Sequence, residues 1–190
     1  MKNKDEKPEF WEKSFIEKQE MWGFEPANSA VWAKDLFLKN TVKNENWVTA
    51  NGKLNTKDVF TDKSGRKIAE YSYVLEGTVK ILKTYYVYDN PGNIVYVLTP
   101  KLFTILGSGT TISTTQLNNL AFQYVYDTYN RQIEQKVPGK KQWEYMVYDQ
   151  LDRPILTQDK ELKDQGKWLF TKYDALGRPV YSGLFSNTSN

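Results

Sequence analysis

From about Trp47 onward the chain alternates apolar and polar residues in short runs, parted by turn-forming residues. A period of two sends successive side chains to opposite faces of a strand. The runs at 59–60, 68–74, 79–88, 94–98, 122–126, 132–137, 143–148, 155–157, 168–173 and 180–181 are therefore predicted strands. In Phe122-Gln123-Tyr124-Val125-Tyr126 three aromatic residues share one face. Many short strands at close spacing predict a mainly β protein of antiparallel hairpins. Residues 100–120 interrupt the pattern: Gly107-Ser108-Gly109-Thr110-Thr111 is a flexible loop, and Ser113 caps a predicted short helix ending near Leu120.

The opening of the chain has a different texture. Pro8 suits the first turn of a helix, Phe10, Trp11, Phe15 and Trp22 fall at roughly helical spacing, and Gly23 is a stop signal. A second helix is predicted from Asn28 or Ser29, carrying Val31, Trp32, Leu36 and Phe37 before Asn40. The chain thus divides into a helical segment at 1–42, a hairpin region at 46–184 and a disordered tail at 185–190.

Within the hairpin region one formula recurs five times: Asp-x-x-[Gly/Asn/Asp]-[Arg/Asn]-x-[Ile/Val]. The copies start at Asp62, Asp89, Asp127, Asp149 and Asp174, with Gly65, Gly92, Asn130, Asp152 and Gly177 in fourth place. In the last four copies a tyrosine stands before the aspartate: Tyr88, Tyr126, Tyr148 and Tyr173. The starts lie 27, 38, 22 and 25 residues apart, and the long interval holds the 100–120 insertion. A near-regular spacing in this range marks a repeat architecture.

Each position has a physical reason. The aspartate can accept from backbone N–H groups two or three residues on and fix a bend. Gly, Asn and Asp are the residues that best tolerate positive φ. Together they predict a type I turn closed by a left-handed residue. The following Arg is expected to restart the strand with its head in solvent, and Ile or Val two residues later returns to the packed face. The second copy departs: Asn90-Pro91-Gly92-Asn93 suits a type II turn, with Pro second and Gly third. Pro154 and Pro179 cannot donate to a ladder, so strand starts or edges are expected there.

Composition narrows the chemistry. Aromatic residues make up 15% of the chain, and Tyr alone contributes 13. Such side chains suit half-buried sheets, where the ring packs and the polar tip reaches water. Cys and His are both absent, which removes thiol nucleophiles, disulfides, Cys/His zinc sites and any His-based relay. The net charge of +3 comes from interleaved residues, not from a basic tract, so no nucleic-acid partner is expected. Lys140-Lys141 beside Pro138-Gly139 suits a solvated hairpin tip, and Asp159, Glu161 and Asp164 with Lys160 and Lys163 a solvated connection. No run of 18 apolar residues predicts a membrane span. The charged opening Met1-Lys2-Asn3-Lys4-Asp5-Glu6-Lys7 is not an apolar signal core, so no export signal is expected in this chain, and its location stays open. The Gly107 loop lacks the Lys-Ser/Thr of a phosphate cradle and is assigned as a linker. No cofactor is expected.

"YDALGRPVY", "TYYVYDNPGNIVYVLTPKL" and "QWEYMVYDQLDRPILTQD" resemble the YD repeats of bacterial RHS proteins and toxin-complex components, over roughly residues 46–184. The resemblance implies a stacked hairpin strip, part of a hollow shell that encloses a toxin or presents a carbohydrate- or cell-contact surface. It also implies further YD repeats or another protein as partner. "FWEKSFIEKQEMWGFEPANSAVWAKDLFLKN" is similar to the opening helices of a small class I S-adenosylmethionine-dependent methyltransferase, without the glycine-rich cofactor loop. The leading expectation is a non-catalytic structural and interaction module. The alternatives are an inactive methyltransferase remnant and a small carbohydrate-binding protein. Unpaired terminal repeats also lead to an expectation of self-association.

Overall fold

The computed structural model describes residues 37–107 and 111–186, where the alternating pattern resolves into eleven antiparallel strands in one sheet. They are β1 (Phe37–Lys43), β2 (Thr56–Asp62), β3 (Lys67–Glu76), β4 (Thr78–Tyr88), β5 (Ile94–Leu98), β6 (Ala121–Tyr126), β7 (Gln132–Lys136), β8 (Glu144–Tyr148), β9 (Pro154–Gln158), β10 (Lys167–Tyr173) and β11 (Pro179–Ser186). Each strand pairs with its neighbours in sequence, giving an open meander. The ten predicted strands correspond to β2–β11, and the fold class is the mainly β hairpin strip that the alternation implied.

Two predicted boundaries are corrected. The helical segment predicted for 1–42 does not extend over 37–42: residues 37–43 form β1, paired with β2 from Phe37↔Asp62 to Lys43↔Thr56. Helical spacing of apolar residues is a local signal, and a full ladder on β2 overrides it. The rest of the predicted helical segment, with its methyltransferase likeness, lies outside the described residues. At the other end, 185–186 belong to β11 and not to a disordered tail, because they continue the ladder with β10 through Trp168↔Phe185 and Lys167↔Ser186. Residues 187–190 lie outside the described residues.

The connection between β5 and β6 carries two helices, α1 (Pro100–Leu106) and α2 (Thr114–Leu120). Pro100 starts α1, where its missing N–H costs nothing. Ser113 caps α2: its hydroxyl accepts from the Gln116 N–H at 3.2 Å, and its own N–H donates to Gln116 Oε1 at 2.9 Å. The helices pack on the centre of the sheet, near β4 and β6. Leu102 of α1 is buried with Leu98 and Ala121, packed by Tyr85, Phe103 and Leu117 among others. An aromatic row extends this core across the sheet, from Phe60 through Tyr71 and Tyr85 to Phe103, with ring centroids 4.8–5.9 Å apart. Gln123, also buried, ties β6 to α2 by donating to the Leu117 carbonyl and Asn118 Oδ1. The last helix is α3 (Lys160–Asp164), capped by Asp159, which accepts from the Leu162 N–H.

Asp58 on β2 is 1% exposed, the most buried charge described. Its carboxylate accepts from the Thr41 and Tyr73 hydroxyls, both at 2.7 Å, and pairs with the Lys39 ammonium at 2.8 Å. This network joins β1, β2 and β3.

Candidate interaction site along the turn edge

In a meander every second turn lies on the same edge of the sheet. The five Asp turns join β2–β3, β4–β5, β6–β7, β8–β9 and β10–β11, so they form one row along one edge.

All five share a backbone geometry. The fourth residue donates to the Asp carbonyl at 3.0–3.2 Å, and the Asp N–H donates to the carbonyl of the fifth residue at 2.9–3.0 Å. The fourth residue holds positive φ throughout: Gly65 78°, Gly92 101°, Asn130 61°, Asp152 58° and Gly177 79°. Each hairpin also slips register by one residue just before the Asp, at Phe60/Thr61, Val87/Tyr88, Val125/Tyr126, Val147/Tyr148 and Lys172/Tyr173. That is the bulge that accompanies a type I turn closed by a left-handed residue.

The aspartate side chains hold the bend. In four copies Oδ1 accepts from the N–H groups two and four residues on: Ser64 and Arg66, Tyr129 and Arg131, Leu151 and Arg153, Leu176 and Arg178. The second copy cannot, because Pro91 has no N–H. There Asp89 Oδ1 takes Gly92 and Asn93 instead, at 2.9 and 2.7 Å. The turn hydrogen bond therefore still spans Asp89 to Gly92, and the expected type II turn over 90–93 is corrected by the carboxylate's grip.

The arginines differ from expectation as well. Their heads are not simply solvated: Nε of Arg66, Arg131, Arg153 and Arg178 donates to Oδ2 of its own turn aspartate at 2.7–2.8 Å. With two N–H donors on Oδ1 and a guanidinium on Oδ2, the carboxylates are held below their ordinary range. For Asp62 and Asp127 partial burial opposes this, and the Arg66 and Arg131 N–H and guanidinium bonds outweigh it. The Arg153 guanidinium comes first for Asp149, and the Arg178 N–H for Asp174. A depressed folded value stabilises above the unfolded value of 3.8, and that contribution is lost as pH falls through the depressed values. Melting temperature is expected to hold from pH 7 to about 5 and fall steeply below about 4. Thermal melts down to pH 2 check this, and a flat profile would remove the turn carboxylates from the stability account.

Coupling between hairpins comes from the tyrosines. Ladders between successive hairpins stop short of the turn edge, at Ala69↔Tyr85, Tyr96↔Gln123, Glu134↔Tyr145 and Leu156↔Phe170. Beyond that point the Tyr hydroxyl crosses the gap. Tyr88 donates to the Lys67 carbonyl at 2.8 Å, Tyr126 to Ile94 at 3.0 Å, Tyr148 to Gln132 at 2.7 Å and Tyr173 to Pro154 at 2.8 Å. The acceptor is always the fifth residue after the preceding aspartate. The preceding Arg lies near the same ring: Arg66 at 5.1 Å from Tyr88, Arg131 at 5.1 Å from Tyr148 and Arg153 at 4.8 Å from Tyr173. Arg131 also reaches the next turn, donating to the Asp149 carbonyl and Asp152 Oδ1. In the second copy Asn93 replaces Arg and bonds Asn130 instead. Thr61 stands where the first copy lacks Tyr, and β1 beside it does not follow an Asp turn in the sequence. Tyr148→Phe is expected to lower stability by about 1 kcal/mol through the unpaired Gln132 carbonyl, read from urea unfolding.

All fourteen predicted turn and aromatic residues thus fall along one edge. What the sequence reading missed is the partnership between them: Arg of one copy with Tyr of the next. The signal was present, since Arg66, Arg131 and Arg153 are each followed by a copy that opens with Tyr-Asp. Among the described residues no helix is long and apolar enough to cross a membrane.

No protein-family model matches the chain, and no curated protein matches it by sequence. Solved structures do match in fold. The Tc holotoxin pore of Photorhabdus luminescens, carrying a point mutation in its TccC3 component, aligns over 82% of this chain with a TM-score of 0.55 and 17% identity. The crystal structure of TcdB2–TccC3 without its hypervariable C-terminal region aligns over 80%, with a TM-score of 0.57 and 19% identity. The fold resembles a segment of a Tc-toxin RHS-repeat shell. The chain spans 7% of the length of either matched chain, so the likeness is one of fold for a short stretch of sheet. It agrees with the YD-repeat resemblance of residues 46–184 and lends no support to the methyltransferase likeness of residues 1–40.

Proposed function

We propose that this chain is a non-catalytic wall segment of an RHS-type shell, a structural module that continues a hairpin strip around an enclosed toxin. The observation that carries this reading is the tyrosine bridge repeated at four successive hairpin junctions, which makes each hairpin a unit that holds the next. The likeness in fold to a Tc-toxin shell segment supports the same role. The turn carboxylates are engaged with backbone N–H groups and, on Oδ2, with a guanidinium in four copies and the Asn93 amide in the second, so they serve geometry in preference to acid–base chemistry. The natural partners on this reading are further Tyr-Asp hairpins or another protein of the shell.

Affinity purification of the full chain from its native cell, followed by mass spectrometry, tests it. Recovery with a polypeptide rich in Tyr-Asp repeats is the expected result. Recovery of the chain alone, with a glycan retained on an array, would replace this reading with the carbohydrate-binding one. Retention of S-adenosylmethionine on equilibrium dialysis would revive the methyltransferase remnant.

A further inference from the structure

We propose that the outer edge of β11 is a docking site for the incoming strand of one more Tyr-Asp hairpin, recognised by Arg178 and the Pro179 carbonyl. The proposal rests on the shell-segment reading and specifies its contact.

The first support is a gradient at one repeat position. The apolar residue six places after each aspartate is 1% exposed at Ile68 and 5% at Val95, half-buried at Ile133 and Ile155, and 62% exposed at Val180. Tyr181, Leu184 and Phe185 on the same strand are exposed too, so β11 presents apolar side chains on both faces. Among the described residues no strand pairs with its outer edge. An unpaired edge with apolar flanks is a template for strand addition.

The second support is the bridge itself. Arg131 and Arg153, each near the ring of the next tyrosine, have side chains 22% and 26% exposed. Arg178 makes the same bond to its own aspartate, yet its side chain is 72% exposed. The Pro179 carbonyl is the acceptor equivalent to Lys67, Ile94, Gln132 and Pro154, and no described tyrosine donates to it. Half of a fifth junction is in place.

Strand direction selects the occupant. Every bridging tyrosine ends a strand that runs toward the turn edge, whereas β1 and β11 both run away from it. A second copy adding antiparallel through either of its edges would bring its turn row to the opposite end of β11, with no tyrosine near Arg178. A Tyr-Asp hairpin satisfies both the ladder and the bridge.

The probe is a fluorescent peptide copying residues 143–158, the chain's own β8–β9 hairpin, added to the full chain at a concentration where sedimentation gives a monomer. Saturable binding is expected, with slowed amide hydrogen exchange in β11. Tyr148→Phe in the peptide, which leaves the protein untouched, should weaken binding about fivefold. Arg178→Ala in the protein should weaken it by about the same factor. Protection of β11 that ignores both substitutions would overturn the bridge while leaving the shell-segment reading intact. Absence of protection at either edge would count against both. Protection confined to β1, or β11 protected by self-association without peptide, would overturn the proposal.

Discussion

Leu102→Ala is expected to destabilise the centre of the sheet by about 3–4 kcal/mol, the largest single effect among apolar substitutions at the described residues. Leu102 is 0% exposed and, with Phe103 against the Tyr85 ring, ties α1 to the sheet. It sits against Leu98 and Ala121, which flank the insertion on β5 and β6. A single-layer sheet offers few places where a side chain is enclosed from all sides, so a cavity at this position has little around it that can collapse inward. The loss should also be local. In a strip where each hairpin contacts its neighbours, stability is a sum of near-neighbour couplings. Hydrogen exchange is therefore expected to accelerate in β4–β6 more than in β9–β11, alongside the fall in urea midpoint. A cost below about 1 kcal/mol would mean that α1 rides on the sheet without being packed into it.

The parts of this fold legible in the sequence are those with local causes. Alternation located β2–β11, and Asp with a Gly, Asn or Asp three places later located all five turns, because one side chain and one backbone dihedral decide each bend. Pro154 and Pro179 fall at the first residues of β9 and β11, as their missing N–H required. What stayed hidden depends on neighbours distant in sequence. β1 carries no strand signal of its own and forms because β2 offers a ladder and Asp58 offers an acceptor to Thr41. Arg153 reaches the Asp174 carbonyl 21 residues on, a contact that exists only once β9 and β10 pair. The burial gradient from Ile68 to Val180 was equally invisible, since five copies of one motif carry no statement of which stand inside the strip.

Asp58→Ala is expected to cost about 3 kcal/mol, for a reason opposite to that at Leu102: it strips partners from polar groups that remain. The Thr41 and Tyr73 hydroxyls each lose a 2.7 Å acceptor, while Lys39, whose side chain is 45% exposed, can turn to water and limits the loss. Burial works against the Asp58 carboxylate, but bonds from Lys39, Thr41 and Tyr73 outweigh it and hold its pKa below the ordinary value. Tyr73 answers in the other direction. Burial first, then its bond to the Asp58 carboxylate, push the phenol up to about 12. A phenol raised from 10.0 favours the folded state below pH 10, and that contribution is lost as pH rises towards about 12. Asp58→Asn should therefore lower the Tyr73 titration midpoint, visible as earlier phenolate absorbance in the difference spectrum against the parent chain. The double-mutant cycle of Asp58→Ala with Tyr73→Phe should return a coupling of about 1–2 kcal/mol. Additivity within about 0.5 kcal/mol would show that the two groups share a location without sharing a bond, and that β1–β3 are held by their ladders alone.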